Sequence, residues 1–494
     1  MEKKSSLFLK FIYVLIAFNL LLSVFFVCLG LKKNNEDKEL LSLSNYKLPE
    51  VIPESLNKEF KVLVIELDPI LTKGTIEGRK CSGKSASECL GQNKSTAVNE
   101  LITDLKESSN NNVSVKIVKT EKINEFPTYK NKVTLLNGKT DYRFDEDTWV
   151  DIMKNGWYSG INDSRITGDW FGSYDYEYII NKLDLIKRRN NNEFDEVWIV
   201  NVDPAGTYES IMVGTNAFWI NGTPIEKDCK PFKMINVSIS RPDVNFECFG
   251  HATEQLLSNV FKNTYWSGYD PLNWKDNSTT ITKTDYEKLN LFQKFMLTEN
   301  QNTNKNSGYV GVGNIHYSPN STSDYDWNNL NLNVYSKYNE WKNYPNITNN
   351  PSSIVFSPNI YTSKKINGTN SDARLHHRWW FSLLPNHNGY TIDGYYNNWW
   401  KYYMSNTYVE SITSPQLEYN YHIKDKLDNI TFTLKYRDGS TEKVNLKYDN
   451  NIEINNKNIF SVDNDGYLYA RNSGTTVIKY YRDGQYASIK ISIK

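Results

Sequence analysis

Hydrophobic and polar positions follow two different patterns along the chain, and the change between them predicts its organisation. In the first half, short apolar runs such as 60–71 and 194–204 are separated by stretches with helical spacing such as 96–112 and 246–261. Strands that alternate with helices are typical of a parallel sheet. We therefore predict an α/β fold, with a mostly parallel sheet and helices on both of its faces.

The second half of the chain has two further textures. Over about 263–406, Tyr, Trp, Asn and Gly dominate and periodicity is weak, which predicts a loop-rich aromatic cap with one helix at 286–298. From about residue 411, short alternating runs end in Asp-Gly and Ser-Gly turns, which are typical of a β-sandwich. The pattern thus predicts an α/β domain with its cap over 59–410 and an all-β, Ig-like sandwich over 411–494.

The N-terminal 31 residues predict a membrane anchor or a signal. The uncharged, mostly apolar run 11–31 is long enough to cross about 30 Å of hydrocarbon, and three lysines precede it. It lacks the small-x-small cleavage site of a secretory signal peptide. This favours a single-pass protein of the cell membrane with an extracellular body, and cleavage would make it a secreted protein. The polar stretch 32–58 predicts a linker.

Composition limits the partners and the compartment. The 494 residues include 57 basic and 57 acidic ones, so no overall field attracts nucleic acid. Four cysteines lie outside the apolar run, and pairing of neighbours would join Cys81 to Cys89 and Cys229 to Cys248. Such disulfides suit an exported chain. Four free thiols are the alternative.

The helix predicted at 246–261 carries a His/Glu pair away from its apolar side. At about 100° per residue the apolar side chains share one arc, whereas His251 lies opposite that arc and Glu254 lies at its border. Residues three apart are neighbours on a helix surface. Two interpretations remain open. The pair belongs to a solvated polar face, or it binds a metal or acts as a general acid or base.

A Gly-rich stretch at 308–327 holds a second group of candidates. It contains Asn314, His316, Asp324 and Asp326. Loops that combine glycines with a histidine and acidic residues often bind a ligand, and a surface loop rich in turn residues is the alternative. This loop is the part of the cap best able to approach the start of the 246–261 helix.

Further candidates lie at a strand end and in the cap. Asp203 and Glu209 follow the apolar run 194–204, and sites in α/β sheets form beyond the carboxyl ends of the strands. His377 is one of two adjacent histidines, of which one can face a site. Trp399 and Trp400 indicate either an aromatic core patch or a platform on which sugar rings stack.

Several of these stretches carry a resemblance to known sequences. In this order, "EVWIVNVDPAGTYES", "FGHATEQLL", "GVGNIHYSPNSTSDYDW" and "NNWWKYY" resemble a family of secreted bacterial and fungal proteins whose activity is uncharacterised. This resemblance covers about 60–405 and implies an extracellular location. The pattern "FSVDNDGYLYARNSGTTVI" resembles the bacterial Ig-like group 2 domain over about 412–494, which implies a spacer or adhesive module without catalysis.

These observations support two hypotheses. The first is a surface-anchored or secreted hydrolase, assisted by a divalent metal such as zinc or acting on a glycan with paired carboxylates. The second is a non-catalytic surface protein that binds a glycan, a cell-wall ligand or a partner. In the first hypothesis we expect His251, Glu254 and His316 to lie within about 8 Å of one another. The assigned residues are as follows: catalytic His251, Glu254, Glu209 and Asp324; metal-binding His251 and His316; ligand-binding Asp203, Asn314, Asp326, His377, Trp399 and Trp400.

Overall fold

The computed structural model describes residues 40–494, apart from 57, 74, 77, 156–171, 203–204, 263–280 and 299–306. The predicted membrane anchor and Asp203 therefore lie outside the described residues. Within the described ranges, no helix is both long enough and apolar enough to cross a membrane.

Helices and strands are interspersed up to residue 260, as the hydrophobic pattern predicts, but consecutive strands follow one another within 113–143 and 196–238. The helical spacing over 176–192 gives two helices rather than one, because Asp184 adopts a left-handed conformation with a φ of 51°. The elements are β1 (Leu41–Ser42), β2 (Lys58–Leu67), β3 (Thr75–Ile76), β4 (Arg79–Lys80), α1 (Ala86–Leu90), α2 (Lys94–Ser108), β5 (Val113–Ile123), β6 (Thr128–Thr134), β7 (Thr140–Arg143), α3 (Glu146–Asn155), α4 (Tyr176–Lys182), α5 (Leu185–Asn190), β8 (Glu196–Asn201), β9 (Ser210–Gly214), β10 (Ile225–Glu226), β11 (Phe232–Ser238) and α6 (Asn245–Val260).

Six of these strands form one mixed sheet in the order β10-β9-β11-β8-β2-β5. β11, β8, β2 and β5 are parallel to one another, whereas β9 runs antiparallel to β11. The chain enters β9 at Ser210, which pairs with Ile235 in the middle of β11, and the preceding Glu209 accepts a backbone hydrogen bond from the N–H of Asn236. Glu209, which precedes β9, therefore lies near the edge of the sheet where β11 ends and the chain continues towards α6.

Alternate residues of the central strands enter two different hydrophobic cores. In β2, Phe60, Val62 and Val64 belong to the core that includes Leu101 of α2 and Leu256 of α6. The intervening residues of β2 belong to a second core, which also contains residues of α4. This alternation follows from the period of two in a strand, and it explains why apolar residues occupy both faces of the central strands.

The two cysteine pairs for which the sequence permits a disulfide differ in the structure. Cys81 and Cys89 are joined by a disulfide. Cys229 and Cys248 are not disulfide-bonded, and they belong to the two different cores. Pairing of Cys229 with Cys248 is therefore wrong for this structure.

The cap contains short elements between long loops. The single helix predicted at 286–298 is two helices, because Leu289 is extended and the Asn290 side chain caps a new helix by accepting a hydrogen bond from the N–H of Gln293. The cap elements are α7 (Lys283–Lys288), α8 (Leu291–Met296), β12 (Val334–Tyr335), α9 (Tyr338–Lys342), β13 (Val355–Phe356), α10 (Asn359–Thr362), α11 (Asp372–Ser382), β14 (Asn386–Tyr390), β15 (Tyr396–Asn398) and α12 (Trp400–Ser405).

The C-terminal region consists of β-sheets that share a hydrophobic core. The strands of this region are β16 (Val409–Thr413), β17 (Glu418–Tyr421), β18 (Thr431–Tyr436), β19 (Thr441–Asn445), β20 (Ile452–Ile454), β21 (Phe460–Val462), β22 (Leu468–Ala470), β23 (Gly474–Arg482) and β24 (Gln485–Ile493). β16, β18 and β19 form an antiparallel sheet, and β17, β24, β23 and β20 form a second sheet in which β17 is parallel to β24.

Part of the stretch that the sequence predicts as a linker packs against these regions. β1 pairs with β21 in a three-stranded sheet, and Leu43 is buried in the C-terminal core. Further along, Pro53 forms a bridge with His387 of the cap. From residue 40 onward, the stretch 32–58 thus makes defined contacts with both parts of the chain.

A turn of the C-terminal region is buried against the cap. Asp483 accepts hydrogen bonds from the hydroxyl of Tyr402 and from the backbone N–H of Val409, the latter at 2.8 Å. Gly394 lies so close to this turn that a Cβ atom there would come within 2.4 Å of the Tyr481 backbone. The two regions therefore meet over a closely packed contact.

Candidate functional site

α6 is buried on almost all of its sides, including the side that carries polar residues. Glu247, His251 and Glu254 are each less than a tenth exposed. The interpretation of this side as a solvated face is therefore wrong, because the Gly-rich loop of the cap covers it. Gly250 makes the close approach possible, since its missing side chain leaves room for Ile315.

Hydrogen bonds hold the covering loop in place. The Asn314 side chain accepts hydrogen bonds from the backbone N–H groups of His316 and Tyr317. The N–H of Ile315 donates to Glu254 Oε1 at 2.8 Å, and the carbonyl of Ile315 accepts from His377 Nε2 at 3.2 Å. The loop thus presents His316 to α6 in a fixed position.

Two imidazoles and a carboxylate converge at this contact. The Nε2 atoms of His251 and His316 are 2.9 Å apart. Glu247 Oε1 is 3.1 Å from Nε2 of His316 and 3.7 Å from Nε2 of His251. These three residues have the composition and proximity of a metal-binding group. Glu209 Oε2 lies 3.8 Å from His251 Nε2 and adds a second carboxylate.

Each imidazole also contacts a carboxylate through its other nitrogen. Nδ1 of His251 is 3.3 Å from Glu254 Oε2, and Nδ1 of His316 is 3.0 Å from Asp324 Oδ1. A carboxylate on the far nitrogen of a metal-binding histidine is a recurrent arrangement, since it fixes the tautomer and the orientation of the ring. Both histidines of this cluster have that partner.

The charges of the cluster shift the pKa values of its members. Burial raises the pKa of Glu209, whose side chain is 34% exposed. Burial also acts to raise the pKa of Glu247, but hydrogen bonds from His251 and His316 outweigh it and hold that pKa well below its usual range. Burial acts to lower the pKa of His251, and hydrogen bonds to Glu247 and Glu254 reverse this and raise it. The cluster therefore favours positive charge at its centre.

The structure brings five of the predicted site residues together and leaves others apart. His251, Glu254, His316, Asp324 and Glu209 belong to the cluster. Three other assigned residues have structural contacts: Asn314 and His377 hold the loop, and Asp326 accepts hydrogen bonds from Thr322 and Asn329 within it.

Trp399 and Trp400 do not form a sugar-stacking platform. Both are almost fully buried, and Trp399 packs against Phe261 and Phe295 whereas Trp400 packs against Phe381. A ligand cannot reach a ring that is surrounded by other rings. That interpretation is therefore wrong, and the alternative of an aromatic core patch describes both residues.

Sequence reasoning overlooked Glu247, which lies 3.1 Å from Nε2 of His316, the nitrogen that faces His251. A usable signal was present in the sequence, because Glu247 precedes His251 by four residues and residues four apart share a helix face. Comparison with protein-family models gives no match, and no curated protein matches the chain.

Proposed function

We propose that this protein is a metal-dependent hydrolase in which His251, His316 and Glu247 bind one divalent cation of the zinc type. The observation that carries the proposal is the pair of Nε2 atoms 2.9 Å apart, each on a ring whose Nδ1 faces its own carboxylate. A neutral imidazole that donates from Nδ1 has a lone pair on Nε2. Two lone pairs at this distance need a positive charge between them.

That positive charge is either a shared proton or a metal ion, and the neighbouring carboxylate favours the ion. Ligand atoms about 2.0–2.1 Å from a tetrahedral zinc ion lie about 3.3 Å from one another. The three separations between Glu247 Oε1 and the two Nε2 atoms are 2.9, 3.1 and 3.7 Å, which bracket this value. Two histidines and one glutamate are also a known ligand set of catalytic zinc, with a fourth position left for water.

Glu209 is the proposed general base. A bound divalent cation lowers the pKa of a water molecule and polarises the carbonyl group of a substrate. The water oxygen forms a bond to the carbonyl carbon, Glu209 accepts its proton, and the same proton passes to the leaving oxygen or nitrogen as the old bond breaks. Glu209 suits this role because it lies beside the cluster, 3.8 Å from His251 Nε2, and remains partly exposed.

Metal analysis of the purified full-length protein tests the proposal. We expect about one equivalent of a divalent transition metal, and we expect His251→Ala and His316→Ala to lose it. His422→Ala is the matched control, because His422 pairs with Asp425 three residues later, as His251 does with Glu254, but is 85% exposed. The control variant should keep its metal.

Two results would overturn the proposal. One is a correctly folded protein that binds no divalent cation even after incubation with zinc, cobalt or manganese. The other is equal metal content in His251→Ala and in the control variant. The second hypothesis, a non-catalytic surface binding protein, would then account better for the exposed rings of Trp219 and Tyr325.

We also propose that the protein is exported and stays attached to the cell membrane, with the C-terminal sheets forming an Ig-like sandwich that acts as a spacer. The Cys81–Cys89 disulfide supports export, because such bonds persist in oxidising compartments. The division of β2 between two hydrophobic cores supports the finer α/β arrangement, with helices on both faces of the sheet.

A further inference from the structure

Two large aromatic side chains remain exposed near the cluster, one on the loop that carries His316 and the other on the loop that follows β9. Tyr325 is 51% exposed and Trp219 is 42% exposed, whereas Trp399 and Trp400 are buried. Exposure of a large ring costs hydrophobic free energy, so an exposed aromatic pair beside a cluster of ionisable groups indicates contact with a ligand.

Tyr325 is held against the cluster by its backbone. Its ring centroid is 4.5 Å from that of His316, and its N–H donates to the carbonyl of His316 at 3.2 Å. Its φ of 62° lies in the left-handed region, which is unfavourable for a bulky residue. The loop accepts this conformation and keeps the ring beside His316.

Trp219 is connected to the other carboxylate of the cluster. Its ring centroid is 6.1 Å from that of Tyr208, the residue that precedes Glu209. Two residues after Trp219, the Asn221 side chain donates a hydrogen bond to Glu209. The loop of Tyr325 therefore carries His316, and the loop of Trp219 contacts Glu209 through Asn221 and the preceding Tyr208 through the Trp219 ring.

The charge of the cluster limits what these rings can hold. Four carboxylates, those of Glu209, Glu247, Glu254 and Asp324, surround the two imidazoles. Among the described residues, no lysine or arginine forms an ion pair with any of the four; their ion-pair partners are His251 and His316. One divalent cation would neutralise about half of this charge. A phosphate, sulfate or carboxylate on the substrate would be repelled.

We propose that the substrate is an uncharged glycan that carries an ester- or amide-linked acyl group, with Trp219 and Tyr325 stacking on its sugar rings. The assignment rests on the proposed hydrolase function. Water adds to the acyl carbon, the bond from that carbon to the sugar oxygen or nitrogen breaks, and Glu209 passes the proton to the leaving atom. The products are a carboxylic acid and a free sugar hydroxyl or amine, and no oxidant or reductant is needed.

The test uses the metal-loaded full-length protein and three probes: N-acetylated chitohexaose, O-acetylated xylohexaose and a sulfated hexasaccharide. Binding is measured by calorimetry and acetate release by an enzymatic assay. We expect at least one of the neutral probes to bind and to lose acetate, and the sulfated probe not to bind.

Trp219→Ala and Tyr325→Ala should weaken binding of the neutral probe about three- to tenfold. Trp219→Phe and Tyr325→Phe should restore most of it, and Tyr486→Ala, at another exposed ring, should have no effect.

Failure of this inference differs from failure of the hydrolase proposal. If the protein holds its metal but neither neutral glycan binds and loses acetate, the substrate assignment is overturned and the metal site stands. Binding that requires both rings without release of acetate also overturns it. If no metal binds, the hydrolase proposal fails, and the calorimetry still reports whether the two rings hold a glycan.

Discussion

Gly250 of α6 lies directly beneath Ile315 of the covering loop, so that a Cβ atom at residue 250 would come within 2.3 Å of Cδ1 of Ile315. The next residues along the chain are His251 and His316, whose Nε2 atoms are 2.9 Å apart. The close packing of one pair therefore sets the spacing of the other, and the glycine is required by the geometry of the site.

We expect Gly250→Ala to weaken metal binding and to lower stability. In an exposed helix this substitution gains about 1 kcal/mol of helix propensity. Here the added methyl group must displace a fully buried isoleucine, and overpacking of this kind costs about 1–3 kcal/mol. Chelator competition and urea unfolding of the full-length protein measure the two effects.

The double variant Gly250→Ala/Ile315→Ala is the control for this prediction. It removes the clashing side chain, so its stability should exceed the sum of the two single effects by a coupling of about 1 kcal/mol or more. Strict additivity of the two substitutions would show that the Gly250–Ile315 contact does not position the loop.

We expect Glu254→Gln to lower the affinity for the metal about 10- to 100-fold. Glutamine can still accept the hydrogen bond from the N–H of Ile315, but it presents no charge to Nδ1 of His251. The variant should therefore fold with its loop in place while its imidazole becomes a weaker ligand. Competition with a chromophoric chelator gives the dissociation constant.

Asp425→Asn is the matched control, since Asp425 contacts Nδ1 of the exposed His422 at 3.8 Å in the same spacing. It should leave the affinity unchanged. Equal metal affinities of Glu254→Gln and the wild-type protein would show that Glu254 does not contribute to metal binding.

Local spacing predicted the half of the site that lies on one helix. The three-residue separation of His251 and Glu254 places them together on α6 whatever the rest of the fold does. The approach of His316 depends instead on the fit of Ile315 against Gly250, which are far apart in sequence. A glycine in a helical pattern did not by itself show that a loop would lie against it.

The hydrophobic pattern similarly predicts the central strands of the sheet, but it predicts neither the short antiparallel strand nor which tryptophans are buried. Continuous apolar runs predicted the central strands correctly because those strands are buried on both sides. The antiparallel strand Ser210–Gly214 was overlooked, since it is short and lies among turn residues. Composition does not distinguish buried tryptophans from exposed ones. The sequence therefore assigns Trp399 and Trp400 to the site, although they are buried, and does not assign the exposed Trp219.

We expect thiol titration of the denatured chain to detect two more thiols after reduction than before it, because Cys81 and Cys89 form a disulfide. Closing a loop of this size stabilises a protein by about 2–3 kcal/mol. Cys81→Ser/Cys89→Ser should lower the free energy of unfolding by about this amount and should make stability insensitive to reductant. Equal thiol counts before and after reduction would contradict the disulfide and weaken the case for export.

Asp483 should make stability depend on pH below neutrality. Burial raises the pKa of this carboxyl to about 6, although hydrogen bonds from Tyr402 and Val409 act in the opposite direction. The unfolded chain has a pKa of about 3.9 for aspartate. The folded state therefore binds the proton more tightly, and its contribution is most favourable below about pH 4. That contribution is lost progressively as the pH rises through about 6, and it is constant above about pH 7.

The size of this effect follows from the difference between the two pKa values. Two pKa units correspond to about 3 kcal/mol. Asp483→Asn cannot titrate, so the unfolding free energy of the wild-type protein, relative to this variant, should fall by about 2 kcal/mol between pH 4 and pH 7. Urea unfolding at a series of pH values measures it, with Asp425→Asn as the exposed control. A difference between wild type and Asp483→Asn that stays constant over this range would show that the buried carboxyl keeps its ordinary pKa, and that Tyr402 and Val409 compensate its burial in full.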